Sequence, residues 1–254
     1  MKAIILAAGQ GTRLRPLTDD KPKCLVEMAG KPLLDHQLEV LRAAGVDDIH
    51  VVAGYRADQL DRPGFTRHIN ERFANTNMVN TLFAAESVMI GDSDLIIGYG
   101  DIVYEPRVLA ALLAVNAPIG LAVDREWRRY WVARMDDPLT DAETLKLTDG
   151  NRVLELGKKP GSYADIQGQY IGLIKIRADH VAQLPLLWRA MDSTAAYDGK
   201  DYDNMYMTSF IQHLIDSGWE TRAAFVNNGW AEVDCETDLF VARNFCNVEI
   251  KNLN

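Results

Sequence analysis

The stretch Leu6-Ala7-Ala8-Gly9-Gln10-Gly11-Thr12-Arg13-Leu14-Arg15-Pro16-Leu17-Thr18, closed by Lys21-Pro22-Lys23, decides how this chain folds. It follows a short apolar run, residues 3–6, that reads as a buried strand. Small residues at 7–9 and Gly11 leave the backbone bare, so its N–H groups can approach an anion that a Cβ would hold away. Arg13 and Lys23 bring positive charge to the same place. Strand, glycine-rich loop and flanking cations together describe a cradle for a triphosphate.

Working outward, Leu33, Leu34, Leu38, Leu41 and Ala44 recur at helical spacing, Gly45 is a natural C-terminal cap, and residues 49–54 form a second short apolar strand. This βαβ order implies a parallel sheet whose ligand loops lie at the C-terminal strand ends, where Gly9 falls. A short helix is expected over 56–60, a weak strand over 67–72 and a helix over 77–89. Asn77 reads either as the cap of that helix or as a contact for a nucleotide base. Residues 94–101 read as a buried strand ending in Asp101, which is a helix cap or a metal ligand on the edge shared with the opening loop.

A helix over 105–115 and a strand over 119–123 follow. Residues 124–141 crowd Trp127, Arg128, Arg129, Tyr130, Trp131 and Arg134 together without a clear period. They read as a surface flap, or as a recognition loop for a charged small molecule, since aromatic faces suit ammonium groups and guanidinium forks suit phosphate. Alternation on both sides of Asp149-Gly150 predicts a β-hairpin over 144–156, and residues 169–176 a further strand. Amphipathic helices are expected over 178–191, interrupted at Pro185, and over 204–217. Strands over 222–226 and 229–234, the latter ending in Glu232 and Asp234, precede a last helix over about 237–246.

These elements describe an α/β protein: a Rossmann-like three-layer sandwich with a mixed, mainly parallel central sheet and a β-hairpin insertion. At 254 residues and 48% hydrophobic composition one domain over 1–254 is expected. A net charge of −9 argues against a nucleic-acid binder, whose surface would be broadly basic. Cys24, Cys235 and Cys246 have neither disulfide-framework nor zinc-site spacing, so a reduced, cytoplasmic setting is expected. The opening apolar run is too short for a signal peptide, no stretch approaches the roughly 18 apolar residues of a membrane span, and no basic amphipathic helix suggests lipid binding. A homodimer is left open.

Singly these features are weak, and the loop has neither the G-x-G-x-x-G nor the G-x-x-x-x-G-K-[ST] spacing. In combination, A-A-G-x-G-T-R-L-x-P-L-T with K-P-K, then Gly100-Asp101 at a later strand end and Glu232-Val233-Asp234 near the C-terminus, resemble the sugar-1-phosphate nucleotidyltransferase superfamily from Met1 to about Asp238. Within it the chain is most similar to the small bacterial cytidylyltransferases that act on phosphocholine or phosphonates, and residues 99–104, 138–145 and 204–208 to those that activate phosphoglutamine.

The resemblance implies transfer of CMP from CTP to a small phosphorylated acceptor with release of pyrophosphate, a phosphoglutamine-like acceptor being favoured, in surface polysaccharide decoration. It implies Arg13 and Lys23 on the triphosphate, and Asp101 and Asp234, with Glu232 as a third candidate, holding Mg²⁺. Leu6, Ala8, Gly9, Gly11, Thr12, Asn77, Thr81 and Gly100 would bind the nucleotide. Trp127, Arg129, Trp131, Lys159 (or its neighbour Lys158), Gln169 and Tyr170 would bind the acceptor, within a recognition insertion at about 124–170. A uridylyl- or thymidylyltransferase acting on a hexose 1-phosphate is the alternative, and a non-catalytic nucleotide-binding relative the second.

Overall fold

The structure, a computed structural model, describes residues 1–91 and 93–247. In chain order, β1 (Lys2–Ala7) leads through the glycine-rich loop to a small ribbon, β2 (Glu27–Met28) and β3 (Lys31–Pro32), and to α1 (Leu33–Ala43). Next come β4 (Asp48–Ala53), β5 (Thr66–Ile69), α2 (Met78–Phe83), β6 (Leu95–Tyr99), β7 (Ile102–Tyr104) and α3 (Pro106–Leu113). They are followed by β8 (Ile119–Asp124), α4 (Trp127–Arg134), the hairpin β9 (Leu145–Thr148) and β10 (Arg152–Leu156), and β11 (Gln169–Ile176). The remaining elements are α5 (Ala178–Val181), α6 (Leu184–Ala190), α7 (Met207–Asp216), β12 (Thr221–Val226), β13 (Trp230–Glu232) and α8 (Glu236–Val241).

Nine strands form one sheet in the order β5-β4-β1-β6-β11-β8-β12-β10-β9, with β11 and β10 running against the rest. Alternation along the strands splits the core in two. Ala3, Ile5 and Ala7 pack on the face covered by α1, α3 and α4, whereas Ile4 and Leu6 pack on the opposite face with α2, α6 and α7. A sheet buried on both sides reads as a continuous apolar run, which is why residues 3–6 carry no polar side chain. The expected three layers result.

Because β1 and β6 are parallel neighbours, with Leu6 beside Tyr99, their C-terminal ends lie together and the Gly100 N–H donates to the Leu6 carbonyl at 2.9 Å. The segment 229–234 does not join the main sheet. Its strand β13 pairs antiparallel with β7, setting Glu232 opposite Ile102, and the Val233 N–H donates to the Asp101 carbonyl at 3.0 Å. This side ribbon carries the second carboxylate to the first.

Three further expectations need correction. Residues 124–141 are not an irregular flap: α4 spans Trp127–Arg134, and Trp127, Tyr130 and Trp131, at i, i+3 and i+4, are buried, Tyr130 against Trp230 and Phe245, Trp131 against Trp230 and Trp127 against Trp131. The helix expected over 77–89 ends at Phe83 and resumes as a 3₁₀ turn at Glu86–Val88, where Lys2 Nζ takes the Val88 and Ile90 carbonyls at 3.1 and 3.0 Å. The interruption at Pro185 falls just before it, so that Pro185 opens α6, where its missing N–H needs no partner.

Asp124, fully buried at the end of β8, ties the side ribbon down. Its carboxylate accepts from the Glu126 and Asn228 backbone N–H groups at 2.9 and 3.0 Å, Asn228 Nδ2 at 3.0 Å and Trp230 Nε1 at 2.9 Å. Asp124→Asn turns a donor toward these donors and is expected to lower stability by about 3 kcal/mol. Urea unfolding measures this, and a loss below about 1 kcal/mol would show that the knot is dispensable.

Candidate active site

At the C-terminal ends of β1 and β6 lies a cleft of about 160 Å³ lined by Leu6, Ala8, Gly9, Asn77, Thr81 and Gly100, with Lys23, Phe73, Thr76 and Asp101. Gly100 cannot carry a side chain, since a Cβ would lie 2.7 Å from the Leu6 carbonyl oxygen and 3.0 Å from Ala7 Cα. A Cβ on Gly9 would instead meet open space. Gly11, at φ +68°, brings the loop against Lys23, whose Cβ and Cγ would be 3.0 Å from an added Cβ. The buried Thr18 hydroxyl donates to the Gly11 carbonyl at 2.7 Å and pins the turn.

The two readings of Asn77 are compatible. Its Oδ1 accepts from the Met78 N–H at 2.9 Å as a cap of α2, while the residue also borders the cleft. Gly11 and Thr12 lie on the loop but outside the cleft lining.

At the mouth, Asp101, Glu232 and Asp234 each present one carboxylate oxygen within 4.8 Å of the others. Lys23 Nζ lies 2.6 Å from both Asp101 Oδ2 and Asp234 Oδ1, and the largely exposed Arg13 reaches Asp234 Oδ1 at 3.0 Å. Burial opposes the charge on Lys23, yet Asp101, Asp234 and Glu232 outweigh it and hold the ammonium above the ordinary lysine range. Burial, then Asp234 and Asp101, push Glu232 up to about 8. Against the burial of Asp234, Lys23, Arg13 and Arg134 hold its carboxylate below the usual range.

Asp101 Oδ1 is buried without a hydrogen-bond partner. An orphan carboxylate oxygen in a three-carboxylate group beside the cleft is a donor set that fits a hard divalent ion such as Mg²⁺.

A second cleft, of about 180 Å³, adjoins the first and shares Met78 and Tyr99 with it. Trp131, Gln169, Tyr170 and Glu232 line it, together with Asp141, Glu143, Tyr206 and Thr208. Trp131 Nε1 donates to Asp141 Oδ2 at 3.0 Å, and Gln169 spans the Glu143 backbone, accepting from its N–H at 3.1 Å and donating to its carbonyl at 2.5 Å. Burial, then Asp141 and Asp198, push the Glu143 carboxyl up to about 7.

Of the expected acceptor residues, Trp131, Gln169 and Tyr170 line this cleft, whereas Trp127, Arg129 and Lys159 do not. Trp127 is buried between Trp131 and Tyr163, and Arg129 points outward over Phe245, 5.3 Å from its centroid, because both follow from a helix where a loop was expected. Lys159 is exposed after β10. Asp141 and Glu143 carry charge that sequence reasoning missed, and Arg134, expected among the cations of a recognition loop, instead meets Glu232, Asp234 and Asp238. The signal for Arg134 was present, since it stands seven residues after Trp127 on the face of Trp127, Tyr130 and Trp131.

The family model for the MobA-like NTP transferase domain matches residues 3–192. The CTP:phosphoglutamine cytidylyltransferase of Campylobacter jejuni is 41% identical over 252 residues, covering 95% of this chain and 98% of that protein. A glucose-1-phosphate thymidylyltransferase of Streptomyces griseus is 29% identical, covering 94% of this chain and 64% of that protein. Among solved structures, the inositol-1-phosphate CTP transferase from T. maritima aligns with a TM-score of 0.70 at 20% identity, over 93% of this chain and 90% of that one. The CTP:phosphocholine cytidylyltransferase from Streptococcus pneumoniae aligns at 0.68 and 21%, over 93% and 95%. These two likenesses are of fold.

Proposed function

The chain belongs to the MobA-like NTP transferase family, and on that footing we propose that it is a cytidylyltransferase that transfers CMP from CTP to a small, phosphorylated, zwitterionic acceptor of the phosphoglutamine type. Pyrophosphate is the second product, and surface polysaccharide decoration the use. The carrying observation is the pair of adjoining clefts with the carboxylate centre at their junction.

In the reaction an acceptor phosphate oxygen attacks the α-phosphorus of CTP. The bond from that phosphorus to the bridging oxygen breaks, and its electron pair leaves with pyrophosphate. Two anions must meet, so charge neutralisation and alignment dominate, and an acceptor oxygen already ionised near neutral pH needs no base. Arg13 and Lys23 neutralise the triphosphate and the leaving group, with the Gly9–Thr12 amides beside them. Lys23, bridging Asp101 and Asp234 in the free protein, exchanges those partners for phosphate oxygens.

Asp101 and Asp234, with Glu232, would hold Mg²⁺, which supplies Lewis-acid stabilisation of the charge growing on the α-phosphoryl oxygens. Lys158 pairs with Glu155 at 3.4 Å and Lys159 lies outside the lining of the second cleft, so neither lysine is assigned to the acceptor phosphate.

The acceptor cleft within 124–170 is acidic. Arg128 and Arg129 stack on Tyr163 and Phe245, and Arg134 turns into the carboxylates, so none serves an acceptor carboxylate in the cleft. Asp141 and Glu143 instead suit an ammonium group. Free thiols at Cys24, Cys235 and Cys246 support the cytoplasmic setting, and no described helix is long and apolar enough to cross a membrane.

A panel of nucleoside triphosphates and acceptors, read by pyrophosphate release, tests the proposal. Turnover is expected with CTP and phosphoglutamine, and weaker turnover with phosphocholine or aminoalkylphosphonates. Turnover with UTP or dTTP and glucose 1-phosphate but not with CTP would overturn it, as would no turnover with any pair.

Glu143→Gln is expected to raise the acceptor KM about 10- to 100-fold and leave that of CTP within twofold. The sign of the pH effect follows from the raised carboxyl: above about 7 Glu143 is anionic and pairs with ammonium, and below it the charge is lost. The acceptor kcat/KM of the wild type should therefore fall relative to Glu143→Gln as pH drops from 8 to 6. Parallel profiles would remove Glu143 from acceptor recognition.

A further inference from the structure

Arg134, the last residue of α4, has a side chain only 2% exposed, and three carboxylates surround it. Its NH1 donates to Glu232 Oε2 at 3.0 Å and its NH2 reaches Asp234 Oδ2 at 3.4 Å. Its Nε and NH2 grip both oxygens of the buried Asp238 at 2.9 and 3.2 Å. Asp238 in turn accepts from the Asp234 and Cys235 N–H groups at 2.7 and 3.0 Å. The guanidinium sits 5.1 Å from the Tyr130 ring and 5.7 Å from that of Trp131, so the helix that fills the core also sets its position.

The division of labour at Asp234 is the informative part. Oδ1 faces the open centre, where Lys23 and Arg13 meet it, while Oδ2 is tied from behind by Arg134. Left alone, two carboxylates this close would repel and rotate apart or take up a proton. A planar fork with five donors can hold three carboxylates at fixed angles, which a single ammonium cannot.

We infer that Arg134 is a positioning residue: it fixes Asp234 and Glu232 so that one oxygen of each lies within 4.8 Å of one from Asp101, preparing the centre for a divalent cation before any ligand arrives. It touches neither cleft-bound substrate nor the reacting atoms, and acts through the carboxylates. The inference rests on the proposal that this centre holds a divalent ion. A role in charge balance alone predicts that any cation at 134 suffices, whereas a positioning role requires the fork.

Arg134→Lys and Arg134→Met separate the two. Mn²⁺ is titrated into each protein with CTP present and acceptor absent, and its binding is followed by water-proton relaxation enhancement, with a protein-free CTP titration subtracted. Pyrophosphate release and thermal unfolding are measured alongside. Arg134→Lys, which keeps the charge, is expected to bind Mn²⁺ at least tenfold more weakly and to lose kcat to a similar extent, while the acceptor KM stays within twofold. Should Arg134→Met fail to fold, Arg134→Lys carries the test.

Wild-type Mn²⁺ affinity per folded molecule in Arg134→Lys, with only its unfolding temperature lowered, would overturn the inference in favour of a structural role. Absence of Mn²⁺ binding by the wild-type protein would instead overturn the metal reading of the centre, and this inference with it.

Discussion

Replacing Asp101 or Asp234 by asparagine is expected to lower pyrophosphate release from CTP roughly 10³-fold or more while the protein stays folded. The magnitude follows from what the reaction needs, namely two anions meeting at one phosphorus, with the charge that grows there met by preorganised partners. Asp101 Oδ1 is buried without a partner, so its amide replacement offers the centre one good acceptor fewer and a donor that faces a cation. Asp234→Asn loses one member of the same group and the anion that Lys23, Arg13 and Arg134 share. Initial rates over a range of Mg²⁺ concentrations, with circular dichroism to confirm the fold, check both variants. Unchanged turnover in either would remove that residue from the centre.

Lys23→Met is the second large effect, with an expected fall of about 10²- to 10³-fold in kcat/KM for CTP. In the free protein the ammonium bridges Asp101 and Asp234 at 2.6 Å each, in the place where a divalent ion would meet the same oxygens. Removing it should therefore move two measurements in opposite directions. Turnover falls because the leaving pyrophosphate loses a partner, while Mn²⁺ binds more tightly in the absence of CTP because its competitor is gone. Since the surrounding carboxylates hold Lys23 charged above the ordinary range, no loss of its charge should limit the wild-type rate below pH 10. Mn²⁺ affinity unchanged by the substitution would show that Lys23 and the cation do not compete for these oxygens.

The glycine-rich end of the site was readable in one dimension because its features are local. Gly11 stands on a turn after a strand, and the demand for bare backbone there, at φ +68° against Lys23, is written in the residue itself, whereas at Gly9 an added Cβ would meet open space. Leu6, Ala8, Gly9, Asn77, Thr81 and Gly100 border the cleft at the ends of β1 and β6, whereas Gly11 and Thr12 do not. The acceptor half was less readable. Trp127 and Arg129 share a stretch with Trp131, yet only Trp131 reaches the cleft, because a helix turns neighbouring side chains by about 100° and a loop reading does not order them.

The sequence by itself determined the α/β class, the position of the glycine-rich loop at a parallel strand end and the presence of the cations Arg13 and Lys23 beside it. These follow from backbone freedom, side-chain alternation and charge within short windows. Only the tertiary structure decided that Glu232 and Asp234 arrive on a side ribbon paired with β7, that Arg134 is locked behind them, and that the second cleft is acidic rather than rich in arginine. Lys23 and Asp234 are 211 residues apart and meet at 2.6 Å. Contacts of that separation come from segments brought together over one face of the sheet, and no local window carries the rotation of a helix or the pairing of a ribbon that does so.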